Sequence, residues 1–333
     1  MKKLINSPEN VVAESVEGFA QAHKDIVTRA TDPLFVSRKE KKESGKVAVV
    51  SGGGSGHEPL HAGFVGHGML DAAVPGAMFT SPTPDAIQAA TNAVNAGAGV
   101  LYIVKNYTGD VLNFDTAAEL AEFDDIEVSQ VIVDDDVAVE DSTYTAGRRG
   151  VAGTLLVEKL AGAAAERGDD LAAVTAVAKK VVENTATMGA ALSACTVPHV
   201  GKPSFDLGED EVELGVGIHG EPGRKEIPIV SADDVTDHLL DPILADLKLS
   251  EGEHTIVVVN GMGATPASEL YVVYRRVAQR LKDAGVTIER SLVGDFVTSL
   301  DMAGCSVTVM RADDQDIALF DAPCHTAALR KGM

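Results

Sequence analysis

Short apolar runs rich in valine and isoleucine recur along this chain, and each lies near a glycine, asparagine or aspartate. Continuous runs of this length, bounded by turn residues, are typical of buried strands. We predict strands at 47–50, 100–104, 128–133, 256–259 and 305–309. The segments between them predict helices at 85–96, 115–122, 149–166, 170–186, 234–247 and 267–284. The alternation of strands and helices predicts an α/β fold.

The length of the chain and a change in its composition together predict two domains. The chain has 333 residues, more than the 250 to 300 or so at which a single hydrophobic core usually stops growing. Around 187–210, two alanine-rich helices give way to "SACTVPHVGKPSFDLGEDE", which contains Pro198, Pro203 and several glycines. We therefore expect an N-terminal α/β domain over 1–190 and a C-terminal α/β domain over 191–333.

The charge of the chain argues against nucleic acid and membrane partners. Fifty acidic residues against 28 basic residues give a formal net charge of −22, which repels phosphates and anionic lipids. Hydrophobic residues make up 45% of the chain and charged residues 23%, so a large core is expected. The acidic excess fits either an ordinary acidic enzyme or a high-salt cytosol, and the sequence leaves both open.

Neither the N-terminus nor the cysteines indicate secretion. No apolar run reaches 18 residues, and "MKKLINSPENVVAES" turns polar too early for a signal peptide, so we expect a cytoplasmic protein. Cys195, Cys305 and Cys324 form neither an even set nor a C-x-x-C motif. We therefore expect buried thiols rather than a disulfide framework or a cysteine-based zinc site.

The stretch "HEPLHAGFVGH" places His57, His61 and His67 at the ligand spacing of a zinc-protease helix, H-E-x-x-H-x-x-G-x-x-H. That function requires a continuous helix from His57 onward. Pro59 lacks an N–H and the residues before His57 are "GGGSG", so a helix can begin only near Glu58 or Pro59. His57 then lies at the N-terminal end of that helix and not on its face. The glycine of the motif is also replaced by Phe64. We therefore predict no metal here.

Three polar loops follow predicted strands, which is where ligands bind in open α/β sheets. "SGGGSGH" allows close approach of its backbone, although it is neither a P-loop nor a G-x-G-x-x-G motif. "KNYTGD" brings Lys105 and Asp110 within six residues. "GVGIHGEPG" fits G-x-G-x-x-G but continues as a loop, and it holds His219 between two glycines. Each loop alone is also explained by turn chemistry, whereas together they indicate a ligand site.

Longer motifs that contain these loops run in order along nearly the whole chain. They are "KKLINSPENVV", "SGGGSGHEPLHAGFVGHGMLDAAVPG", "FTSPTPDAI", "KNYTGDVLNFDTAAELA", "VIVDDDVAVEDSTYTAGRRGVAGTLLVEKLAGAAAE", "CTVPHVGKPSFDLGEDEVELGVGIHGEPG" and "NGMGATPASELY". On these motifs the chain resembles the substrate-binding K subunits of phosphotransferase-linked dihydroxyacetone kinases. The fold that this resemblance implies is two α/β domains, each built on a central β-sheet flanked by helices.

The resemblance also implies roles for particular residues. The family holds dihydroxyacetone as a hemiaminal between the ketone carbon and a histidine nitrogen, and the matching residue is His219. Only a neutral imidazole has a lone pair for this bond, which selects a ketone over the polyol glycerol. Asp110 is the expected general base, and His57 is expected to assist in polarisation and positioning. The implied contacts to the substrate hydroxyls come from Gly54, Ser55, Gly56, His57, Lys105 and Asp110.

The partners are likewise implied by the resemblance. The chain shows no second alanine-rich nucleotide domain of the kind found in ATP-dependent single-chain members. A separate L-type subunit is therefore expected to dock over the loops and to carry ADP or ATP with Mg²⁺, while this chain binds no cofactor. An M-type phosphotransferase subunit would recharge the L subunit from phosphoenolpyruvate. The family also implies a homodimer.

Two other functions stay open at this stage. A regulatory paralogue would bind dihydroxyacetone as a sensor, but a sensor needs the tether and no base, so Lys105 and Asp110 favour the kinase. A kinase for a four-carbon ketose such as erythrulose would differ in the size of its pocket, which the sequence does not give.

The interpretation of the histidine motif leads to a prediction about metal content. Because Pro59 removes the helix that a zinc site needs, purified protein should contain no stoichiometric zinc. Treatment with a chelator should leave dihydroxyacetone binding unchanged. Metal analysis checks this, and one bound equivalent of zinc that His57→Ala and His61→Ala each remove would contradict it.

Overall fold

The computed structural model describes residues 2–40, 44–139, 145–221 and 223–333. Within them, the strands form two six-stranded sheets and a small three-stranded sheet. The first sheet has the order β1 (Val27–Thr31), β2 (Leu34–Arg38), β5 (Ala72–Met78), β3 (Ala48–Ser55), β6 (Val100–Lys105) and β7 (Val128–Val133). The second has the order β10 (Lys225–Pro228), β9 (Glu211–Leu214), β8 (Thr185–Ala191), β13 (Gly304–Arg311), β11 (His254–Gly261) and β12 (Thr287–Gly294). The small sheet joins β15 (Arg330–Lys331), β14 (Cys324–Thr326) and β4 (Gly66–His67).

Helices cover the sheets, and those of the described residues lie close to the predicted ranges except for the first and the last α-helix, which were not predicted. They are α1 (Val11–Ala22), α2 (Pro84–Val94), α3 (Thr108–Phe123), α4 (Thr154–Arg167), α5 (Leu171–Glu183), α6 (Ala232–Leu247), α7 (Ala267–Asp283) and α8 (Asp314–Asp321), with a 3₁₀ helix at Ala62–Phe64. All five predicted strands also lie within or overlap observed strands, namely β3, β6, β7, β11 and β13. The prediction of an α/β fold, with two sheets flanked by helices, is confirmed.

Four strands of the first sheet run parallel, and this arrangement positions the site. β5, β3, β6 and β7 pair in parallel, whereas β1 and β2 are antiparallel additions at one edge. The carboxyl ends of β3 and β6 therefore meet at the same edge of the sheet. β3 ends in Gly52–Ser55 and β6 ends in Lys105, so the glycine loop and the lysine loop are neighbours.

A single hydrophobic core connects the two large sheets. Helix α4 is buried from Thr154 to Ala165, and its side chains share one cluster with Val133 of the first sheet and Val258 of the second. At Gly162 the helix approaches another segment so closely that an added Cβ would lie 2.4 Å from the Cα of Met69. The two halves of the chain therefore pack as one body around α4.

The predicted boundary near residue 190 lies inside β8, the first strand of the second sheet. The last residues also return to the N-terminal half, because β14 pairs with β4. The division into 1–190 and 191–333 accordingly stays a prediction. Cys195, Cys305 and Cys324 are buried free thiols, as expected.

Across the described ranges, no helix combines the length and the hydrophobicity needed to span a bilayer.

The contact at Gly162 predicts a measurable difference between two glycines in helices. Gly162→Ala forces backbone against backbone and should lower the free energy of unfolding by about 1–3 kcal/mol. Gly18→Ala in α1 is the matched control, since an added Cβ there meets nothing within 4 Å. It should raise the free energy of unfolding by up to about 1 kcal/mol, because alanine favours a helix. Urea unfolding measures both, and equal effects would contradict the packing.

Candidate active site

The three loops that follow the strands converge on one cavity. Its volume is about 590 Å³, and it is lined by Gly54, Phe79, Thr80, Ser81, Tyr107, Thr108, Gly109, Asp110 and His219. The glycine loop and the lysine loop come from the first sheet, whereas His219 follows β9 of the second. A cavity lined by polar groups from two sheets is a typical position for binding a small ligand.

His219 is oriented by the carboxylate of Glu221. Its ring Nδ1 lies 3.1 Å from Glu221 Oε1, and its backbone N–H donates to Glu221 Oε2 at 2.9 Å. Gly217 allows this turn, because an added Cβ would lie 2.1 Å from Glu221 Oε2. We assign the Nδ1 proton to the bond with the carboxylate, so Nε2 carries the lone pair.

Burial alone would raise the pKa of Glu221, but the neighbouring His219 and Arg149 outweigh it and lower the pKa to about 2. The carboxylate is therefore ionised across the physiological range. An ionised acceptor at Nδ1 fixes the tautomer and the orientation of the ring, as carboxylates do for histidines that bind metals or act in triads.

Three rings surround the imidazole of His219. The rings of His57 and Tyr107 lie edge-on to it, with centroids at 4.6 and 4.5 Å, and Phe79 lies edge-on at 5.2 Å. Phe79 also stacks on His57 at 4.9 Å. This packing fixes the plane of His219 while its side chain remains 16% exposed toward the cavity.

His57 is held by the second sheet although it belongs to the glycine loop. Its Nδ1 donates to the carbonyl oxygen of Thr298 at 2.8 Å, and the backbone N–H of Thr298 donates to the carbonyl of His57 at 3.2 Å. The buried Nε2 has no hydrogen-bond partner in the parts of the chain that the structure describes. Burial lowers the pKa of His57 well below its ordinary value, and His219 and Lys105 act in the same direction. His57 is thus a neutral imidazole with a free acceptor.

Asp110 lines the cavity, and the fully buried Lys105 lies beside it. Asp110 lies in the first turn of α3, where the helix dipole stabilises a negative charge, and it is 3% exposed. The nearest distance between Lys105 Nζ and Asp110 Oδ2 is 3.8 Å, so the two groups are paired without a short hydrogen bond. Within the described residues, Asp110 Oδ1 is buried without a hydrogen-bond partner. This oxygen is available to a ligand hydroxyl.

The predicted glycine-loop residues lie at the cavity to different extents. Gly54 lines it, and an added Cβ there would lie 2.5 Å from the backbone nitrogen of Thr80. The Ser55 hydroxyl donates to Gly76 O at 2.7 Å, and the Gly56 N–H donates to the carboxylate of Glu58 at 3.1 Å. Substrate contacts by Ser55 and Gly56 stay a prediction.

The histidine motif does not form the helix that zinc would need. Residues 58–61 form turns, and only the short 3₁₀ helix Ala62–Phe64 follows. The expected α-helical start near Pro59 was wrong. His61 instead forms hydrogen bonds with Glu158 and Lys105. In the described part of the chain, no group of three or more histidine, cysteine, aspartate or glutamate side chains is arranged to hold a metal ion.

Several residues at the site were missed or left without a role by the sequence analysis. Glu221 follows His219 by two residues in "HGE", a spacing that allows the carboxylate to reach Nδ1, and this was a signal in the sequence. Phe79 and Thr298 gave no such signal, because they lie far along the chain from the residues that they contact. Glu158 lies in an apolar helix and was not predicted to approach the site.

Comparisons with known proteins agree on one family. Residues 17–328 match the model of the Dak1 domain. The chain is 53% identical to the dihydroxyacetone-binding subunit DhaK of PTS-dependent dihydroxyacetone kinase 1 from Listeria innocua, over 98% of this chain and 100% of that one. It is 50% identical to the dihydroxyacetone-binding subunit DhaK of the PEP-dependent kinase of Escherichia coli, over the full length of both.

Solved structures share the fold. The dihydroxyacetone kinase of C. freundii superposes with a TM-score of 0.91 at 37% identity, covering 99% of this chain and 60% of that one. The dihydroxyacetone kinase operon co-activator DhaQ also gives a TM-score of 0.91, at 33% identity, covering 96% of this chain and 98% of that one.

The buried, neutral state of His57 predicts how stability depends on pH. Below a pH of about 6.5 the unfolded chain protonates this histidine while the folded protein does not. The free energy of unfolding should therefore fall on account of His57 as the pH decreases, by about 1 kcal/mol between pH 6.5 and 5.5. His57→Asn keeps a donor for Thr298 O and cannot titrate, so its slope should be smaller by that amount.

Urea unfolding of both proteins between pH 6.5 and 5.5 measures the difference in slope. Burial also lowers the pKa of His61 and raises that of Glu158, which changes the slope of stability against pH in opposite directions. Both groups are present in both proteins. Their contributions cancel in the comparison. Equal slopes would show that His57 is not held neutral.

Proposed function

Because this chain belongs to the Dak1 domain family, we propose that it is the dihydroxyacetone-binding subunit of a phosphotransferase-dependent dihydroxyacetone kinase. The relatives at 50–53% identity are such subunits and match this chain over their whole length. The observation in the structure that best supports the proposal is His219, with Glu221 at Nδ1 and its ring open to the cavity beside Asp110. This arrangement presents a nucleophilic nitrogen and a base to one small substrate.

The first step is reversible attachment of the ketone to His219. The Nε2 lone pair attacks the carbonyl carbon, and the π electrons of the carbonyl move to its oxygen, which gains a proton and becomes a hydroxyl. In the net reaction the imidazole loses its Nδ1 proton and the carbonyl oxygen gains one, exchanged through water, so Glu221, whose Oε1 lies 3.1 Å from Nδ1, remains ionised. Attachment leaves the two terminal hydroxyls of dihydroxyacetone unreacted, and one of them is the phosphoryl acceptor.

The second step is transfer of a phosphoryl group to a terminal hydroxyl. This hydroxyl must lose its proton as it attacks phosphorus, and Asp110 Oδ1 is the buried acceptor without a partner in the described structure. Nε2 of His57 is a further neutral acceptor next to His219 and can position a hydroxyl. Lys105 places a positive charge beside the developing negative charge. Attachment to His219 makes the reaction effectively intramolecular.

The donor comes from partner subunits. We propose that an L-type subunit carrying ADP or ATP with Mg²⁺ docks over the cavity, and that an M-type phosphotransferase subunit recharges it. The open side of the 590 Å³ cavity, where Thr108 and Gly109 begin α3, supports this direction of approach. The N-terminus of α3 also favours a negatively charged phosphoryl group. We further propose a homodimer, by analogy with the family, and a cytoplasmic location, as the sequence predicts.

The two alternatives from the sequence are less well supported. A sensor function would make the chain similar in role to the co-activator DhaQ. The chain is 33% identical to that co-activator, against 50–53% for the kinase subunits. The unpaired oxygen of Asp110 is also a feature that phosphoryl transfer uses and binding alone does not require. The relatives at 50–53% identity are dihydroxyacetone-binding subunits, so we favour dihydroxyacetone over a four-carbon ketose as the substrate of this chain.

Separate substitutions of tether and base test the proposal. His219→Ala should abolish the mass increment of one triose on the intact protein and raise the apparent KM, because only hydrogen bonds would then hold the substrate. Asp110→Asn is nearly isosteric but cannot accept the proton. It should keep the adduct and lose turnover by about 10²- to 10⁴-fold.

Turnover is measured with an L-type partner and a phosphoryl donor present, and the adduct is measured by mass spectrometry of the intact protein. His254, an exposed histidine paired with Glu289, provides a matched control, and His254→Ala should leave both readouts unchanged. An adduct that survives His219→Ala, or near wild-type turnover of Asp110→Asn, would show that the roles are assigned to the wrong residues.

A further inference from the structure

His61 connects Lys105, the neighbour of Asp110, to a carboxylate in the core. Its Nε2 lies 2.9 Å from Lys105 Nζ, and its Nδ1 lies 2.5 Å from Glu158 Oε1 and 3.1 Å from Ser51 Oγ. Lys105 and Glu158 have fully buried side chains, and that of His61 is 4% exposed. None of the steps proposed above uses His61 or Glu158, although placing these groups in the interior carries a large desolvation cost.

The hydrogen bonds determine which nitrogen of His61 carries the proton. An ammonium group can only donate, so Nε2 must accept from Lys105. The Ser51 hydroxyl donates to Ile103 O at 2.7 Å, so its oxygen accepts from Nδ1, as Glu158 does. Burial lowers the pKa of His61 well below its ordinary value, with Lys105 acting in the same direction, which keeps the ring neutral. Two independent contacts therefore assign the proton to Nδ1.

The backbone is shaped to admit this arrangement. Gly53 lies on β3 directly beneath Lys105, and an added Cβ would lie 2.3 Å from Lys105 Nζ and 3.3 Å from His61 Nε2. Lys105 Nζ has only two other acceptors nearby in the described residues, Gly52 O at 3.5 Å and Asp110 Oδ2 at 3.8 Å. His61 thus supplies the one short hydrogen bond of the ammonium group.

We propose that His61, fixed by Glu158, is a positioning residue that holds Lys105 away from Asp110. The proposal rests on the function proposed above, in which Asp110 accepts the proton of the substrate. If Lys105 instead bonded directly to Asp110, it would occupy a lone pair of the carboxylate and weaken it as a base. With Lys105 held at 3.8 Å, its charge stays close while Asp110 Oδ1 remains free for the substrate hydroxyl.

The ring nitrogens of His61 provide a test that requires no functional assay. In the unmodified full-length chain labelled with ¹⁵N-histidine, long-range ¹⁵N–¹H correlation at neutral pH should show a protonated Nδ1 and an unprotonated Nε2. Loss of these signals in His61→Gln assigns them among the nine histidines. A protonated Nε2 would overturn the proposal, because such a ring cannot accept from Lys105.

Kinetics distinguish positioning from a structural role. His61→Leu removes the hydrogen bonds to Lys105, Glu158 and Ser51. We expect kcat with an L-type partner to fall about 10- to 100-fold while the triose adduct on His219 is retained. His61→Gln can accept from Lys105 with its carbonyl and donate to Glu158 with its amide, so it should restore kcat to within a few-fold. Tyr102→Phe is the control. Tyr102 lies on the same strand as Lys105, and the substitution removes its buried hydrogen bond to Thr91. Its kcat should equal that of the unmodified protein.

The outcomes separate this proposal from the one it rests on. Unchanged kcat in His61→Leu, or no difference between the leucine and glutamine variants, would overturn the role of His61. If His61→Leu does not fold, Glu158→Leu removes the carboxylate that fixes Nδ1 and should lower kcat in the same direction, and the ring-nitrogen measurement decides independently. If the proposed function itself were wrong, the unmodified protein would form no adduct and show no turnover, whatever the state of His61.

Discussion

The reciprocal hydrogen bonds between His57 and Thr298 are the constraint on which the rest of the site depends. They join the end of β3 in the first sheet to the loop between β12 and β13 in the second. A third bond, from the N–H of Leu300 to Gly56 O at 2.8 Å, reinforces the same junction. Because the His57 ring donates through Nδ1, its orientation and its tautomer are set by the second sheet. His219 then packs edge-on against a ring that cannot rotate.

The site concentrates buried charges that would destabilise the fold if they were left without partners. Asp136 accepts from Arg149 Nε at 2.7 Å, and Arg149 Nη2 in turn donates to Gly215 O, at the start of the loop that carries His219. Glu221 is ionised because His219 and Arg149 outweigh its desolvation. Such groups cost stability compared with apolar side chains of similar volume, and removal of one partner costs about 3–5 kcal/mol. The continuous core around α4 offsets this cost and keeps the partners in place.

Much of the fold was predictable because its signals are local. The valine-rich runs identified β3, β6, β7, β11 and β13, since a strand buried on both faces needs continuous apolar residues. The antiparallel strands β1 and β2 and the small residues of β5 lack that pattern and were not predicted. The glycines and Pro59 allowed a helix to begin near Pro59, but turns and a short 3₁₀ helix follow β3 there, because a proline that permits a helix start does not require one.

The sequence by itself determined that the chain is α/β, that loops after β3 and β6 lie at one edge of a sheet, and that His219 stands in a turn with Glu221 two residues away. These features depend on residues close together in the chain, where geometry follows from composition and spacing. Only the tertiary structure decided that His219 and Asp110 line the same cavity, that Thr298 orients His57, and that Glu158 reaches His61. Each of these contacts joins residues about 100 or more positions apart, and their distances depend on how two sheets pack against α4, which no local pattern encodes.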